Sequence, residues 1–274
     1  MTQRAQAEEV LREIGACPDD EIDLADGALA LAALDRPGIP LDRYREHIKR
    51  LVEDVGDPLG TKNVTLVKAL NEVIFQSHGY HGDMLTYDDI QNANLIRVID
   101  RRKGLPIALG ILYLHAARAH GFTADGINFP GHFMIRIVEA GAALIIDPFN
   151  EGIERSAADL RELLKATAGI DAELSPDYYT AAANRDILIR LQNNIKTRHE
   201  RAGRPEDALR VVEGMLMFAP GIMPLWREAG VIHARVGNLG AAIEAFQVVV
   251  EQADTDGARH DAAAIIQKLK SRLN

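Results

Sequence analysis

Cysteine is nearly absent from this sequence of 274 residues, since Cys17 is the only one. A single cysteine excludes an intramolecular disulfide and any metal site built from several thiolates, and it is typical of a reducing compartment. Basic residues are also scarce: 31 lysines and arginines against 40 acidic residues give a net charge of −9. Because nucleic acid and anionic membranes both repel a net anion, we expect neither as a partner.

Long hydrophobic runs are missing as well. The longest nearly uninterrupted apolar stretch, Leu105 to Leu114, is about half of the roughly 20 residues that cross a bilayer. Residues 1–9 are polar and acidic, where a secretory signal needs an apolar core. We therefore expect a cytoplasmic protein without a membrane span.

Helical periodicity is present over much of the chain. In residues 1–62, apolar residues recur at the spacing of one helix face, and a further helix is predicted over residues 65–78. From Ile107 to His120 the sequence is apolar nearly all round, which indicates a helix buried on several sides, with Pro106 in its first turn.

Two short β-strands are predicted after this helix, over residues 132–138 and 143–147, with a turn at residues 139–142. In an antiparallel hairpin closed by that turn, the numbers of paired residues sum to about 279 to 281. His132 is therefore expected opposite Asp147 or within two residues of it, which brings an imidazole and a carboxylate together.

From about residue 180 the sequence is predicted to be helical and repetitive. Gly203 recurs as Gly237, an offset of 34 residues, which is the period of tetratricopeptide repeats. Trp226 occupies the tryptophan position of one repeat, so we expect it in the repeat core rather than as a ligand platform. The apolar residues after Asp256 predict a final capping helix.

Four segments carry motifs of a known family: residues 88–95, 101–109, 128–133 and 146–152. They resemble the transglutaminase-like, papain-related core, and more closely the bacterial SirB family, also called regulator of sirC expression. The run Asn128-Phe129-Pro130-Gly131-His132-Phe133 is the most specific of these motifs. The resemblance implies such a core followed by tetratricopeptide repeats.

The predicted fold class is therefore α+β and mostly helical. We expect a helical segment over residues 1–62 and a transglutaminase-like core with a small antiparallel sheet over residues 63–175. The helical repeats with their capping helix are expected over residues 180–274.

The resemblance also implies the roles of individual residues. His132 is the imidazole and Asp147 is its orienting carboxylate. The cysteine nucleophile of active relatives aligns at or near Pro106, where this sequence has neither a thiol nor a hydroxyl. Cys17 is not expected to replace it, because its acidic neighbours would raise the pKa of the thiol.

Three interpretations of His132 and Asp147 follow: a retained structural pair, a ligand-binding cleft, or a catalytic pair. Asn128, Asn150 and Arg102 are candidate ligand contacts, although Asn150 could instead cap a local turn. The leading hypothesis is a pseudoenzyme without cofactors, an interaction or regulatory protein that binds a protein or peptide through its repeats. The alternative is an amide hydrolase or acyl transferase with an unidentified nucleophile, for instance a water activated by His132.

Two further groups of charged or titratable residues could be binding sites or ordinary surface residues. His78, His81 and Asp83 suggest a metal site, but glycines separate them and a fourth ligand is missing, so we expect a surface loop and no metal. A basic run precedes the start of the buried helix and could bind phosphate. We expect it to form a solvated rim, and it consists of Arg97, Arg101, Arg102 and Lys103.

Overall fold

The computed structural model describes residues 2–56 and 65–273. The chain divides into two compact units, of which the first comprises Met1–Arg4 and Pro18–Leu191 and the second Ala5–Cys17 and Gln192–Asn274. Within the described residues, no helix combines the length and the apolar character that a bilayer span needs.

Helices make up most of the first unit. It contains α2 (Leu24–Leu34), α3 (Asp42–Val55), α4 (Leu66–Asn71), α5 (Leu95–Arg101), α6 (Pro106–Ala119), α7 (Ala157–Ala168) and the beginning of α8 (Asn184–Arg201). A π-helical turn over Glu72–Ser77 continues α4. The helix predicted over residues 65–78 is therefore confirmed in extent, with a π-helical second half.

Helix α6 forms the centre of the first unit, as its apolar composition predicts. Pro106 stands in its first turn, where the missing N–H costs nothing. The ring of Phe133 packs so closely on Gly110 that a Cβ there would lie 2.5 Å from it. The helix is thus buried along nearly its whole length.

The first unit holds two sheets. A short parallel pair joins β1 (His81–Gly82) to β2 (Lys103–Gly104). The second sheet is antiparallel, with the strands in the order β3 (Ala124–Phe129), β4 (His132–Glu139), β5 (Ala142–Asp147) and β6 (Ile153–Glu154).

The predicted hairpin is the β4–β5 pair. Its two-residue turn consists of Ala140 and Gly141, which have φ angles of 50° and 80°, as favoured hairpin turns require. Ile135 pairs with Ile146, so one further step along the ladder places residue 134 opposite Asp147. That register lies within the range that the sequence predicts.

The second unit contains α1 (Gln3–Ala16), α9 (Pro205–Phe218), α10 (Met223–Arg235), α11 (Leu239–Gln252) and α12 (Asp256–Leu273). The first two residues of α1 are assigned to the first unit. Gly230 of α10 packs against the ring of Phe246, and a Cβ there would lie 2.7 Å from that ring. Trp226 packs on the same apolar cluster, which confirms its expected place in the repeat. Ile266 and Leu269 bury the inner face of α12, as in a capping helix.

Helix α1 packs within the second unit. A Cβ on Gly15 would lie 2.6 Å from the carbonyl oxygen of Met217, so the two backbones approach closely. Residues Ala5–Cys17 therefore belong to the second unit, and the first extends to Leu191. The segments 1–62, 63–175 and 180–274 stay predictions, and the boundary between residues 62 and 63 lies outside the described residues.

Candidate functional site

The start of α6 is the position that the resemblance gives to a nucleophile. Leu105, Pro106 and Ile107 are all buried there. The preceding Gly104 is equally confined, since a Cβ would lie 2.9 Å from the side chain of Val98. The first turn of this helix therefore presents packed apolar groups.

Strand pairing brings His132 near Asp147. Asp147 is buried at the end of β5, whereas the exposure of His132 at the start of β4 is intermediate. Burial lowers the pKa of the His132 imidazole, Asp147 acts to raise it, and the cations Arg155 and Arg190 act to lower it further. The net effect is a pKa below the ordinary value, which favours a neutral ring.

The hydrogen bonds of Asp147 lead away from His132. Its Oδ2 accepts from Arg155, at 3.1 Å from Nε and 2.7 Å from Nη2, and from the side chain of Asn150 at 2.8 Å. Its Oδ1 accepts from the backbone N–H groups of Phe149 and Asn150 at 3.1 and 3.3 Å. Among the described residues no hydrogen bond joins Asp147 to His132.

The candidate ligand contacts Asn128 and Asn150 already have partners within the chain. Asn150 donates its side-chain N–H to Asp147 Oδ2, and Asp147 itself caps the turn after β5. Asn128 accepts a hydrogen bond from Arg190 Nη1 at 2.6 Å. The Arg190 guanidinium also lies 5.5 Å from the centroid of the Phe133 ring.

Arg155 and Arg190 carry no motif that marks them in the sequence. Burial lowers the pKa of the Arg190 guanidinium, which lies beside the half-buried His132. Arg190 comes from α8, 62 residues after its partner Asn128. No local motif marks such a residue, because its partner is determined by the packing of distant segments.

Arg102 lies in a different cluster of side chains. It ends α5 with a left-handed backbone, φ 59°. Its Nη1 donates to His47 Nε2 at 2.6 Å and to Tyr80 Oη at 2.7 Å. These residues share no described hydrogen bond or ion pair with His132 or Asp147.

The expectation of a solvated basic rim was wrong for Arg101 and Lys103. Arg101 Nη2 and Lys103 Nζ both lie 3.1 Å from Oδ2 of Asp83, whose side chain is buried. Burial alone would raise the pKa of the Asp83 carboxyl, but hydrogen bonds from Thr86 and Lys103 hold it well below its usual range. A buried carboxylate is costly unless a positive charge is paired with it. Arg101 and Lys103 therefore serve to neutralise Asp83.

The histidines of the expected surface loop also have separate partners. His78 Nε2 lies 2.7 Å from Asp54 Oδ2, and His81 Nδ1 lies 3.3 Å from the carbonyl oxygen of Gly79. Across residues 2–56 and 65–273, no three His, Cys, Asp or Glu side chains come together as a metal-ligand set.

Cys17 belongs to the second unit, whereas His132 and Asp147 belong to the first. Its thiol follows α1 and donates to the carbonyl oxygen of Ile14 at 3.4 Å.

The chain matches two family profiles. The profile of the transglutaminase-like superfamily matches residues 42–193, and a tetratricopeptide repeat profile matches residues 195–273. A UPF0162 protein of Vibrio cholerae is 30% identical over 242 residues, covering 87% of this chain and 89% of the relative. A UPF0162 protein of Xylella fastidiosa is 29% identical over 233 residues, covering 82% of each chain.

The chain is also similar to a solved structure of menin, with a TM-score of 0.43 and 10% sequence identity. The matched region covers 90% of this chain and 69% of the menin chain, and a similarity this low supports no inference about function. The family profiles and the UPF0162 relatives, by contrast, extend over most of the sequence and agree with the observed fold. The chain belongs to the transglutaminase-like superfamily, within the SirB-like UPF0162 proteins that carry tetratricopeptide repeats after the core.

Proposed function

We propose that this protein is a non-catalytic, cytoplasmic interaction protein whose repeats bind a protein or peptide. The observation that carries the proposal is the start of α6. Leu105, Pro106 and Ile107 are buried apolar residues at the position to which the resemblance assigns the thiolate of an acyl-transfer enzyme.

The partners of Asp147 support the same proposal. In a thiol–imidazole–carboxylate arrangement, the carboxylate fixes the tautomer of the imidazole through a hydrogen bond. Asp147 instead receives its charged hydrogen bonds from Arg155. The carboxylate is therefore satisfied without the imidazole of His132.

A groove in the second unit supports the binding role. Its volume is about 590 Å³, and apolar side chains from α10 and α11 line it together with charged ones. Val231 is 53% exposed at this groove, although it is a large aliphatic residue. An exposed apolar groove with a charged rim is typical of a peptide-binding surface.

The charges of the groove favour an acidic peptide with an apolar side chain. Arg227, Val231 and Arg235 are four residues apart on α10 and form one stripe along its surface. Neither arginine has an ion pair within the described residues, whereas Glu228 of the same groove is neutralised by Lys196, with Nζ–O distances of 2.6 and 2.8 Å. The other carboxylate of the groove, Glu200, has no ion pair within the described residues, so the stripe offers two unpaired cations against one unpaired carboxylate.

The first experiment tests for catalysis. The purified protein is incubated with amide and glutamine-containing peptide substrates, with the His132→Ala variant in parallel. We expect no turnover by either protein. A turnover that falls by a factor on the order of 10² to 10⁴ in His132→Ala would establish the hydrolase or acyl transferase instead.

The second experiment tests binding with an array of short synthetic peptides of varied charge. We expect retention of peptides that combine carboxylates with an apolar residue, reported by the fluorescence of Trp226. Val231→Asp should weaken peptide binding about tenfold or more. Arg272→Gln, at an exposed position of α12 outside the groove, is the control and should leave binding unchanged. Equal binding by wild type and Val231→Asp would contradict a role for this groove.

A further inference from the structure

A second candidate site lies beside α3 and the end of α5. It is a cavity of about 330 Å³, here called the arginine cavity. Its charged and titratable lining residues are Arg43, His47, Arg50, Asp100 and Arg102. The repeats and the superfamily residues His132 and Asp147 take no part in it.

Arg102 is the most distinctive member of the arginine cavity. Both of its described hydrogen-bond partners, His47 and Tyr80, are uncharged groups at 2.6 and 2.7 Å. Its guanidinium also lies 4.9 Å from the centroid of the Tyr80 ring. Within the described residues no carboxylate forms an ion pair with it, so a half-buried cation stays unbalanced at the cavity wall.

The other arginines leave a further positive charge. Arg43 donates to Asp100 Oδ1 at 3.2 Å, so that pair is neutral. Arg50 forms no ion pair with a described residue, and it is exposed. Two guanidinium charges, those of Arg50 and Arg102, thus face one small cavity in a protein whose net charge is −9.

His47 is held as a neutral ring between these cations. Its Nε2 lies 2.6 Å from Arg102 Nη1 and 2.9 Å from Tyr80 Oη. Burial, followed by Arg102, His78 and Arg50, lowers the pKa of His47 to about 4, and Asp54 only partly opposes this. An anion in the cavity would reverse the sign of the local field and raise that pKa.

We propose that the arginine cavity binds the phosphate group of a small phosphomonoester, with Arg50 and Arg102 as its principal contacts. The forked donors of arginine match phosphate oxygens, and a dianion balances both free charges. The volume of about 330 Å³ lies at the lower end of the range of small-molecule sites. A positive cavity on an acidic protein also concentrates anions locally.

The test is a calorimetric titration of the full chain with inorganic phosphate, phosphoserine and succinate at constant ionic strength. We expect saturable binding of both phosphate compounds, with phosphoserine the tighter. Arg50→Gln and Arg102→Gln should each weaken it about tenfold or more. Lys49→Gln is the matched control, because it removes a positive charge from the residue before Arg50 on α3, and Lys49 lines a different cavity.

A second readout is the proton signal of the His47 ring followed by NMR. At one fixed phosphoserine concentration that nearly saturates wild type, the apparent pKa of His47 should rise more in wild type than in Arg50→Gln. Arg50 is exposed, and the unchanged dispersion of the remaining NMR signals checks that the variant is folded. The proposal is overturned if neither phosphate compound saturates, if Lys49→Gln weakens binding as much as Arg50→Gln, or if succinate or free phosphate binds more tightly than phosphoserine.

Discussion

Arg155 donates two hydrogen bonds to one oxygen of Asp147, from Nε at 3.1 Å and from Nη2 at 2.7 Å. The Asp147 side chain is only 3% exposed, whereas that of Arg155 is 23% exposed. The remaining donors to this carboxylate come from Phe149 and Asn150. Asp147, to which the family resemblance assigns the orienting role, thus stabilises the turn between β5 and β6.

Arg155→Ala should therefore destabilise the first unit. It leaves a buried carboxylate without its charged donor, and loss of hydrogen bonds of that kind costs about 2–3 kcal/mol. Urea unfolding followed by circular dichroism measures the change. Arg161→Ala, on the exposed face of α7, is the control and should leave the unfolding free energy unchanged within about 0.5 kcal/mol.

Two glycines of the repeats should respond in opposite ways to alanine. Gly230→Ala places a Cβ 2.7 Å from the Phe246 ring, and overpacking of this kind costs about 1–3 kcal/mol. Nothing lies within 4 Å of a Cβ at Gly240, in the first turn of α11, so Gly240→Ala should be neutral or slightly stabilising. Equal effects of the two variants on the thermal midpoint would refute the close packing of α10 on α11.

Stability should fall as the pH is lowered from about 6.5 toward 4. The pKa of His47 is about 4 in the folded state, against about 6.5 in an unfolded chain. In that window the unfolded chain takes up a proton that the folded protein does not, so folding weakens as pH falls. Because the ring is half exposed, solvent screening reduces the contribution to about 1–2 kcal/mol.

The pH effect is measured by urea unfolding at pH 7 and pH 4.5. His47→Gln should reduce the difference between the two values, whereas His260→Gln, which removes an exposed imidazole of α12, should not. His132 and His199 contribute in the same direction, since the pKa of each is lowered. Asp83, with its low pKa, adds a loss only below about pH 4.

Pro106→Cys introduces a thiol at the position to which the family resemblance assigns the nucleophile. We expect slow alkylation by iodoacetamide and no turnover of an amide substrate, because the neighbouring residues Leu105 and Ile107 are buried and Asp147 is bound by Arg155. If Pro106→Cys does hydrolyse an amide, and a second change, His132→Ala, abolishes that activity, then the remaining residues form a competent relay.

Local patterns in the sequence were enough to predict several elements. The apolar residues of α6, the turn at Ala140 and Gly141, and the repeat offset at Gly237 each follow from spacing within a short segment. Strand β3 was missed because Gly126 interrupts it. That glycine is needed in the fold, since a Cβ there would lie 2.6 Å from the Phe133 ring.

The candidate sites were less predictable, because their charges are paired over long distances in sequence. His132 and Asp147 were found through a motif, but Arg155 and Arg190 were not. Nothing in the sequence near His47 marks it as a site residue. It is one polar residue of α3, and its hydrogen-bond partner Arg102 lies 55 residues later. Side-chain partners of this kind are decided by tertiary packing, which composition and periodicity do not encode.

The proline that starts α6 has an evolutionary implication. Pro106 is buried, and Gly104, two residues before it, is confined by the side chain of Val98. A change of Pro106 to cysteine would place sulfur between the buried side chains of Leu105 and Ile107, while the carboxylate of Asp147 is already bound by Arg155. On the proposed non-catalytic role, a gain of acyl-transfer chemistry would therefore need several coordinated replacements rather than one.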